Sequence, residues 1–490
     1  MEVANKLVLI FVVSFVIIIP YLEAADMVQY DDVWKRRAQE AKKNMMITYI
    51  PNPLEVTQEF DSQFNQDKEK NGTWDSDEKW EIGIGDSSNN GTWDSDDKWK
   101  NETWDSSKNG TRDSGTEKEM NESRRNLRQG KTLYKGPCHA TNPIDRCWRC
   151  KDNWSNQRKR LAECGLGFGR RAVGGKAGKI YEVTNNRDDN VAEPIPGTLR
   201  HAVIQKEPLW IIFARDMNIK LSKELIVNDN KTIDGRGANV HIAYGAGITI
   251  QFVSNVIIHG IRIHHIGPAS GGMIRDAPDH CGLRTQSDGD GISIFGSSNI
   301  WIDHVSMSRC HDGLIDAIQG STGITISNSH FTHHNDVILL GASDSFSGDQ
   351  FMQVTVAFNH FGQGLVQRMP RCRWGFFHVV NNDYTHWQLY AIGGSMHPTI
   401  ISQGNKFIAP NNIYLKQVTK RDYATEAEWK KWIWRSEGDL FMNGAYFVES
   451  GQKLSTTPSK KYLIKAKPGV YASKITRFAG ALDCKRGKKC

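Results

Sequence analysis

Short runs of apolar residues, each followed by a glycine, serine or asparagine turn, dominate the chain from about residue 135 onward. The runs are rich in β-branched and aromatic residues: LWIIF (209–213), ITIQF (248–252), ISIF (292–295), IWID (300–303), ITIS (324–327), VTVAF (354–358) and FFHVV (376–380). Strands this short, with no helix of useful length between them, are typical of an all-β fold.

An Asn-x-aromatic motif recurs in this region at a fixed interval. It begins at Asn359, again at Asn382 and again at Asn405, and a related SHF begins at Ser329. A repeat in the low twenties predicts a solenoid, and its length suits a parallel β-helix whose coils stack about 4.8 Å apart. The asparagine at each bend could then pair with that of the next coil. A β-sandwich with coincidental spacing is the alternative.

Two segments outside the repeat predict helices. DDVWKRRAQEAKKNMM, within the N-terminal extension 26–60, combines helix formers with i,i+4 charge pairs, and EAEWKKWIW (426–434) predicts a helix near the C-terminus. We expect a cap helix at the N-terminal end, and helix and loop packing at the C-terminal end, to cover the open ends of the solenoid.

The first segment of the chain, 1–25, predicts a secretory signal peptide. Lys6 supplies the positive start, LVLIFVVSFVIII (7–19) the apolar core and LEAA (22–25) the small residues for cleavage. A membrane anchor is the alternative, but the apolar run is shorter than the ~20 residues that a spanning helix needs, and Pro20 ends it. We therefore expect a secreted protein of the extracellular space or the cell wall.

Residues 61–130 form a polar repeat that cannot bury a core. Its copies are NGTWDSDEKW (71–80), NGTWDSDDKW (90–99), NETWDSSK (101–108) and NGTRDSGTEK (109–118). We expect a disordered linker, although its spaced tryptophans could instead bind a partner. N-glycosylation sequons occur at Asn71, Asn90, Asn101, Asn109 and Asn121, and in the folded part at Asn153 and Asn230.

Nine cysteines suit the oxidising compartment that a signal peptide implies. Cys138, Cys147, Cys150 and Cys164 form a cluster that we interpret as a disulfide-stapled cap, with a zinc site as the alternative. An odd number of cysteines leaves one thiol without a partner, and we expect this thiol to be Cys490 at the C-terminus.

Charge is unevenly distributed along the chain. The net charge is +7, yet the segment 61–123 is rich in aspartate and glutamate and poor in lysine and arginine, so the β-rich part is strongly basic. A basic surface favours a polyanionic partner, and a secreted protein meets acidic polysaccharide more often than nucleic acid. We therefore expect a monomer with neither a nucleic-acid nor a membrane partner. A basic surface that serves only solubility is the alternative.

Coil stacking would bring four aspartates onto one face. SDGDG holds Asp288 and Asp290, which as i and i+2 point the same way on a strand. HDGLID holds Asp312 and Asp316, which follow the first pair by about one coil. Four close carboxylates repel one another unless a cation lies among them, and an all-oxygen ligand set fits calcium better than zinc. Ordinary turn residues are the alternative.

Other polar residues nearby are assigned structural roles. Asp303 falls at another position of the coil, where we expect it to orient the backbone. His264–His265 and His333–His334 are adjacent pairs whose side chains would point opposite ways on a strand. We interpret both pairs as ladder or surface residues, not as metal ligands.

The segment LVQRMPRCRWG (365–375) places Arg368, Arg371 and Arg373 together. Arg368 follows Asp316 by just over two coils, so we expect it on the face of the aspartates. Positive charge beside a bound cation indicates an anion between them, which predicts a polymer of carboxylates. Calcium on a uronate would acidify the neighbouring C–H, so β-elimination is expected, with Arg368 accepting the proton or stabilising the carbanion.

Six segments between about 133 and 485 carry a specific resemblance. They are NPIDRCWRC, LAECGLGFGR, SDGDGISIFGSSNIWIDHVSMS, HDGLIDAIQGSTGITISNSHFTHH, LVQRMPRCRWGFFHVVNNDYTHW and WRSEGDLFMNGAYF. Together they closely resemble plant secreted pectate lyases of polysaccharide lyase family one. Residues 486–490 are left as a basic tail.

The resemblance implies a right-handed, single-stranded parallel β-helix. It also implies calcium-dependent β-elimination of (1,4)-α-D-galacturonan, which is de-esterified pectin, to oligosaccharides with unsaturated 4-deoxy-galacturonosyl non-reducing ends. The residue roles that it implies are calcium ligation by Asp288, Asp312 and Asp316 with Asp290 as a fourth candidate, catalysis by Arg368, and substrate-carboxylate binding by Arg373.

One position departs from the pattern of this family. Many members carry a lysine that contacts substrate just before the V-x-L-L-G strand, whereas HHNDVILLG places Asp336 there. A catalytically weak or inactive pectin-binding cell-wall glycoprotein is therefore one alternative. Another is a β-helical hydrolase, which would use two carboxylates that flank the bond. Methyl-esterified pectin is disfavoured as substrate, because an ester offers calcium no charge.

Overall fold

The computed structural model describes residues 31–51, 53, 140–150, 153–452 and 462–490. The predicted signal peptide (1–25) and the predicted linker (61–130) with its five sequons lie outside the described residues, as does Cys138. None of the described helices is long and apolar enough to cross a membrane.

Three long parallel sheets run the length of the folded part, and successive coils add one strand to each. Sheet one contains Lys179–Val183, Leu209–Phe213, Lys231–Asp234, Ser254–His259, Ser298–Asp303, Thr322–Ser327, Gln353–Ala357, Phe376–Val380, Thr399–Gln403 and Trp434–Glu437. Sheet two contains Met217–Ile219, Val240–Ala243, Arg262–His264, Ser306–Ser308, His330–Thr332, His360–Phe361, Asp383–Thr385, Lys406–Ile408 and Leu440–Met442.

Sheet three carries the candidate site described below. It contains Leu225–Ile226, Ile248–Gln251, Ile292–Phe295, Ile315–Ile318, Ile338–Leu340, Arg371–Arg373, Ile392–Ser395 and Thr419–Arg421. Two small sheets complete the strands: an antiparallel pair, Gly272–Ala277 with His280–Arg284, and a parallel pair, His334–Asp336 with Leu365–Gln367.

Strand register measures the length of each coil. Ile292 pairs with Ile315 and Ile315 with Ile338, so each of these coils has the same length as the Asn-x-aromatic repeat. The inward side chains of all three sheets form one continuous aliphatic core, in which these isoleucines have no exposed surface. The predicted right-handed parallel β-helix is confirmed.

The Asn-x-aromatic repeat marks a buried ladder at the bend between sheets one and two. The side-chain amide of Asn359 donates to Asn382 Oδ1 at 3.0 Å, and that of Asn382 donates to Asn405 Oδ1 at 2.9 Å. The aromatic residue of each motif stacks in the interior, with ring centroids of Phe361 and Tyr384 4.5 Å apart. Each coil therefore fixes the register of the next through a polar and an apolar contact.

Helices are short apart from the first. The described α-helices are Asp32–Thr48, Pro143–Trp148, Leu199–Val203, Glu426–Trp429 and Ala472–Ile475. The described 3-10 helices are Arg158–Glu163, Phe168–Arg171, Ser347–Phe351, Ile413–Leu415 and Gly469–Tyr471.

The N-terminal end of the solenoid is covered by a helix that the sequence did not indicate. Helix Leu199–Val203 packs Leu199, Ala202 and Val203 into the main core. The cysteine-containing segment predicted as a cap, which includes helix Pro143–Trp148, lies along the outer face of sheet one. There Trp148 contacts the ring of His259 edge-on at 5.1 Å.

The predicted C-terminal helix 426–434 is wrong in its second half. The helix ends at Trp429, and Trp434 begins a strand of sheet one, where it pairs with Ile400 and is fully buried. Burial of this large ring in the core outweighs the local preference for helix, which is worth only tenths of a kcal/mol per residue by the usual scales, roughly 0.7 at most.

The predicted N-terminal helix is present as Asp32–Thr48. Its Asp31 side chain caps the first turn by accepting from the amide of Val33 at 2.9 Å. The helix buries Trp34 against Phe252 and places Met45 beside the turn at Gly320, so it is fastened to the side of the solenoid.

Disulfides staple the segment that precedes the first strand. Cys147 is bonded to Cys164, which confirms a disulfide cap there in place of a zinc site, and Cys150 is also disulfide-bonded. The prediction that Cys490 is free is wrong, because Cys490 is bonded to Cys484. The free thiols among the described residues are those of Cys281, Cys310 and Cys372.

We predict that Asn382→Ala destabilises the folded part by about 1–3 kcal/mol, because it leaves the buried polar groups of Asn359 and Asn405 unmatched. Chemical denaturation measures the loss. Asn156→Ala, which changes an exposed asparagine, is the matched control. Equal stability of the two variants would show that the ladder contributes nothing.

Candidate active site

Four aspartates come together beside sheet three. Asp288 and Asp290 lie in the loop before strand Ile292–Phe295, and Asp312 lies in the equivalent loop one coil later, before Asp316. Carboxylate oxygens of Asp288, Asp290 and Asp312 all lie within 4.8 Å of one another. The i,i+2 argument for Asp288 and Asp290 was wrong, because neither is in a strand; loop stacking brings them together.

Local contacts explain how the loops hold this shape. Asp290 accepts from the amide of Gly313 at 2.7 Å and from Ser293 Oγ at 2.9 Å, which ties one coil to the next. Gly313 also makes room for the cluster, since a Cβ there would lie 2.1 Å from Asp316 Oδ1. A side chain at this position would push the carboxylates apart.

Electrostatic repulsion is concentrated in this cluster. Burial, followed by the charge of Asp288, raises the pKa of Asp290 to about 8. Burial and the neighbouring carboxylates of Asp290, Asp312 and Asp288 raise the pKa of Asp316 well above its usual value. Burial and Asp288 also raise the pKa of Asp312. The free energy of the cluster is therefore lowered by any cation placed among these oxygens.

An unpartnered oxygen identifies where such a cation would fit. Asp316 Oδ1 is shielded from solvent and accepts no hydrogen bond from a described residue. The ligand atoms on offer are all carboxylate oxygens, the donor type preferred by hard divalent cations. Asp288, Asp312 and Asp316, with Asp290 beside them, are thus the residues that could hold the metal.

Two histidines support the loops that carry the aspartates. His334 Nε2 donates to the carbonyl oxygen of Asp312 at 2.5 Å, and His311 Nδ1 donates to that of Asp288 at 3.1 Å. Sequence reasoning missed both roles. The available signal was their position, since His311 directly precedes Asp312 and His334 lies one coil above it.

The other structural assignments are partly corrected. His264 does contact the ladder residue His241, but its ring nitrogen also lies 2.9 Å from that of His265. The pair does not point opposite ways, because His265 leaves the strand with φ of 52°. Asp303 accepts from side chains, including Ser327 Oγ at 2.6 Å and Asn328 Nδ2 at 2.8 Å. No backbone amide of a described residue donates to its carboxylate, so the prediction that it orients the backbone is wrong.

Arg368 lies in the turn between strands Leu365–Gln367 and Arg371–Arg373, with φ of 60°. Its Nε is 3.0 Å from Asp336 Oδ1. The positive charge of Arg368 opposes the rise in the pKa values of Asp312 and Asp316. Arg368 is thus brought to the acid cluster.

The strand register places a different arginine, Arg371, directly in line with Asp316 along the stack of coils. Asp316 pairs with Leu339, and Leu339 pairs with Arg371. The second of these coils is longer than the regular repeat, because it includes the 3-10 helix Ser347–Phe351. The position directly in line with Asp316 is therefore that of Arg371, three residues beyond Arg368. Arg368 reaches the same face from the preceding turn.

Asp336 is held in place beside the catalytic candidate. Its Oδ1 accepts from Gln367 Nε2 at 3.0 Å, and its strand pairs with that of Gln367. The carboxylate therefore neutralises part of the charge of Arg368. This is the position where the sequence departs from the family pattern.

Arg373 is anchored by two of its donors. Nε donates to Asp344 Oδ1 at 2.7 Å and Nη1 donates to the carbonyl oxygen of Gly341 at 2.6 Å. Ser395 Oγ donates to the same Asp344 oxygen at 2.7 Å. Burial and the nearby Arg371 lower the pKa of Arg373. With Nε and Nη1 bonded in this way, Nη2 is the nitrogen of Arg373 that could donate to a ligand.

The two sequons of the folded part differ in accessibility. Asn153 is exposed, whereas the side chain of Asn230 accepts from Asn255 Nδ2 at 2.6 Å and Thr232 of its sequon is fully buried. Glycan attachment at either position stays a prediction, and the geometry favours Asn153.

Comparison with known proteins identifies the family. The family model described as pectate lyase matches residues 167–474, and the one described as pectate lyase, N terminus, matches residues 27–127. The chain belongs to the pectate lyase family. Its aspartate cluster and its Arg368 therefore lie in the part that this family shares.

Individual relatives of this family member span nearly its whole length. A probable pectate lyase P59 of Solanum lycopersicum is 56% identical over 480 residues, covering 98% of this chain and 97% of that protein. A pectate lyase of Lilium longiflorum is 55% identical over 469 residues, covering 96% of each. The crystal structure of jun a 1, the major allergen from cedar pollen, matches with a TM-score of 0.68 and 47% identity, covering 70% of this chain and 99% of that one.

We predict that calcium stabilises this family member against heat, because it relieves repulsion among the clustered carboxylates. In a chelator, Asp316→Asn should unfold at a higher temperature than the wild type, since one repelling charge is gone. Added calcium should then raise the midpoint of the wild type more than that of the variant.

The control for this experiment is Asp279→Asn, at a carboxylate that is 65% exposed and paired with Lys206. It should respond to calcium as the wild type does. A wild-type midpoint that calcium leaves unchanged would contradict a metal site at the cluster.

Proposed function

We propose that this protein is a secreted, calcium-dependent pectate lyase that cleaves (1,4)-α-D-galacturonan by β-elimination. The observation that carries the proposal is that the aspartate cluster and the guanidinium of Arg368 lie on the same face, close enough for the charge of Arg368 to affect the pKa of Asp316. One oxygen of the cluster, Asp316 Oδ1, accepts no hydrogen bond from a described residue. The names of the relatives, which are pectate lyases, support pectate as the substrate.

The metal would be held by Asp288, Asp312 and Asp316, with Asp290 steadying the loops between them. When bound, calcium neutralises a substrate carboxylate and stabilises the charge that develops next to it during deprotonation. The protein contributes the oxygen ligands and, through His311 and His334, the backbone that positions them.

The reaction breaks a C–O bond without water. The proton on C5 of a galacturonate unit is removed, the C4–O4 bond breaks, and a C4–C5 double bond forms. The glycosidic oxygen leaves and takes up a proton. Arg368 would act at C5 in one of two ways: a deprotonated guanidine would receive the proton, or the charged guanidinium would stabilise the carbanion character that develops there.

Arg373 is proposed to bind the carboxylate of the reacting unit or its neighbour. Its Nε and Nη1 are fixed by Asp344 and Gly341, so the guanidinium is oriented before substrate arrives. A donor that is already oriented loses little conformational entropy on binding.

The place of action follows from the N-terminal sequence and the cysteines. The predicted signal peptide 1–25 and the disulfide Cys147–Cys164 support secretion to the extracellular space or cell wall. We infer that the protein acts there as a monomer on the pectin polymer, with neither nucleic acid nor membrane as partner.

A second candidate function is a pectin-binding cell-wall glycoprotein with little turnover. The observation that favours it is the 3.0 Å ion pair between Arg368 Nε and Asp336 Oδ1, which offsets part of the charge of the proposed catalytic guanidinium. A substrate carboxylate must compete with Asp336 for Arg368 before elimination can proceed.

Product chemistry tests the proposal. With polygalacturonate and calcium, we expect the ultraviolet absorbance of the unsaturated product to rise, and we expect chelation to stop the rise. Binding without absorbance would favour the glycoprotein, and reducing ends without absorbance would favour a hydrolase. Arg368→Lys should lower turnover by orders of magnitude while polymer binding stays nearly intact. Arg215→Lys, at an exposed arginine, is the matched control.

We predict that Asp336→Lys tightens binding to polygalacturonate, because it replaces a repelling carboxylate in the path of the polymer with a cation. The gain should be about threefold to tenfold in affinity at low salt. Asp336→Asn should lie between this variant and the wild type. An affinity that does not change in this order would show that Asp336 does not face the bound polymer.

A further inference from the structure

Arg371 is the guanidinium of the 365–375 segment to which the proposed reaction gives no role. In its strand, Cys372 points into the core and has no exposed surface, so Arg371 points away from the core on the same side as Arg373. In register, Arg371 lies two coils beyond Asp316 and two coils before Lys420. Each of these separations is roughly 10 Å along the stack.

Arg371 has hydrogen-bonding capacity that the protein does not use. The residue is only 7% exposed, yet its Nε and Nη2 donate to no described residue. Asp422 Oδ2 is 3.5 Å from Nε, which is longer than a normal hydrogen bond. Buried donors without acceptors cost on the order of 1–3 kcal/mol, and a guanidinium is shaped to receive a carboxylate through two parallel bonds.

A second cation extends this positive site toward solvent. Lys420 Nζ is 3.5 Å from Asp422 Oδ1, so one carboxylate lies between Lys420 and Arg371 without a close bond to either. The side chain of Lys420 is 45% exposed. Two cations against one anion leave a net positive charge that would attract a second carboxylate.

An exposed aromatic ring completes the group. Tyr423 is 86% exposed, and its ring centroid lies 5.7 Å from the guanidinium carbon of Arg371. Its backbone φ is 56°, which is uncommon for a residue with a side chain. A tyrosine ring combines an apolar face with a polar tip, which suits contact with the face of a sugar.

We propose that Arg371, Lys420 and Tyr423 form a second uronate-binding subsite, which holds a galacturonate unit remote from the bond that is cleaved. The carboxylate of that unit binds Arg371 and Lys420, and its ring lies on Tyr423. The subsite rests on the proposed function, because the unit belongs to the same polymer. It makes affinity depend on chain length, since short oligomers reach only the reaction centre.

The subsite is tested by measuring how far polygalacturonate in a native gel retards the migration of the protein. A chelator in the gel removes calcium, so the polymer is bound but not cleaved during the measurement. The variants are placed at exposed or partly exposed residues so that the fold is kept. Lys420→Gln and Tyr423→Ala should each weaken retardation by about threefold to tenfold. Asp422→Asn should strengthen it, because the competing internal carboxylate is neutralised.

Matched controls separate this site from general charge and exposure. Lys176→Gln removes a cation that is 41% exposed and paired with Glu163, and Tyr471→Ala removes a ring that is 46% exposed near the opposite bend. Neither should change retardation. If Lys176→Gln weakens binding as much as Lys420→Gln, or if Asp422→Asn weakens it, the subsite is overturned.

A polymer without sugar rings distinguishes ring contact from charge alone. Tyr423→Ala should weaken binding to polygalacturonate but not to polyglutamate, and an equal effect on both would overturn the role of the ring. The failure of the subsite is separable from that of the proposed function. If the wild type forms product in a calcium-dependent way and all three variants are retarded as the wild type is, the subsite alone is rejected. If the wild type neither binds nor cleaves the polymer, both the subsite and the proposed function are rejected.

Discussion

Main-chain hydrogen bonding between successive coils is the constraint on which the rest of the structure depends. Parallel pairing fixes neighbouring coils about 4.8 Å apart, so residues at equivalent positions are held in columns whatever their distance in sequence. The buried aliphatic interior and the asparagine ladder keep this register against slippage. Side chains that repel one another on the outer face, such as Asp290 and Asp316, cannot move apart without breaking the pairing beneath them.

The close packing of the four aspartates depends on this fixed spacing of the coils. Repulsion among the aspartates raises their pKa values, and the fold tolerates this repulsion because its stability comes from the interior. Gly313 allows the close approach, and His311 and His334 each donate to a carbonyl oxygen of the preceding coil. The carboxylate oxygens are therefore held close together by the protein itself, and oxygens that are already ordered bind a cation more tightly because little has to be reordered.

Basic residues lie further along the same sheet, so an acidic and a basic region follow one another on one face of the solenoid. Arg368 bridges the two regions from a turn, where its side chain is free of the strand alternation that fixes Arg371 and Arg373. Its contact with Asp336 restrains it in the free protein. The two candidate functions differ in the part they give this ion pair, because a guanidinium held by Asp336 is less available to a substrate carboxylate.

Several features followed from sequence alone, each for a local reason. The regular coil length, the Asn-x-aromatic ladder and the first helix are set by repeated local patterns, and the sequence predicted all three. The grouping of Asp288, Asp290, Asp312 and Asp316 also followed, because it needs only one coil of regular length.

Tertiary structure decided what depends on irregular coils and on partners distant in sequence. The long coil between Leu339 and Arg371 shifted Arg371, not Arg368, into line with Asp316. Burial of Trp434 shortened the last helix, and the proximity of Cys484 to Cys490 determined their pairing. The contact of Asp336 with Arg368 likewise depends on which turns lie side by side. Insertions change the length of a coil without leaving a periodic signal, so only the folded chain reveals them.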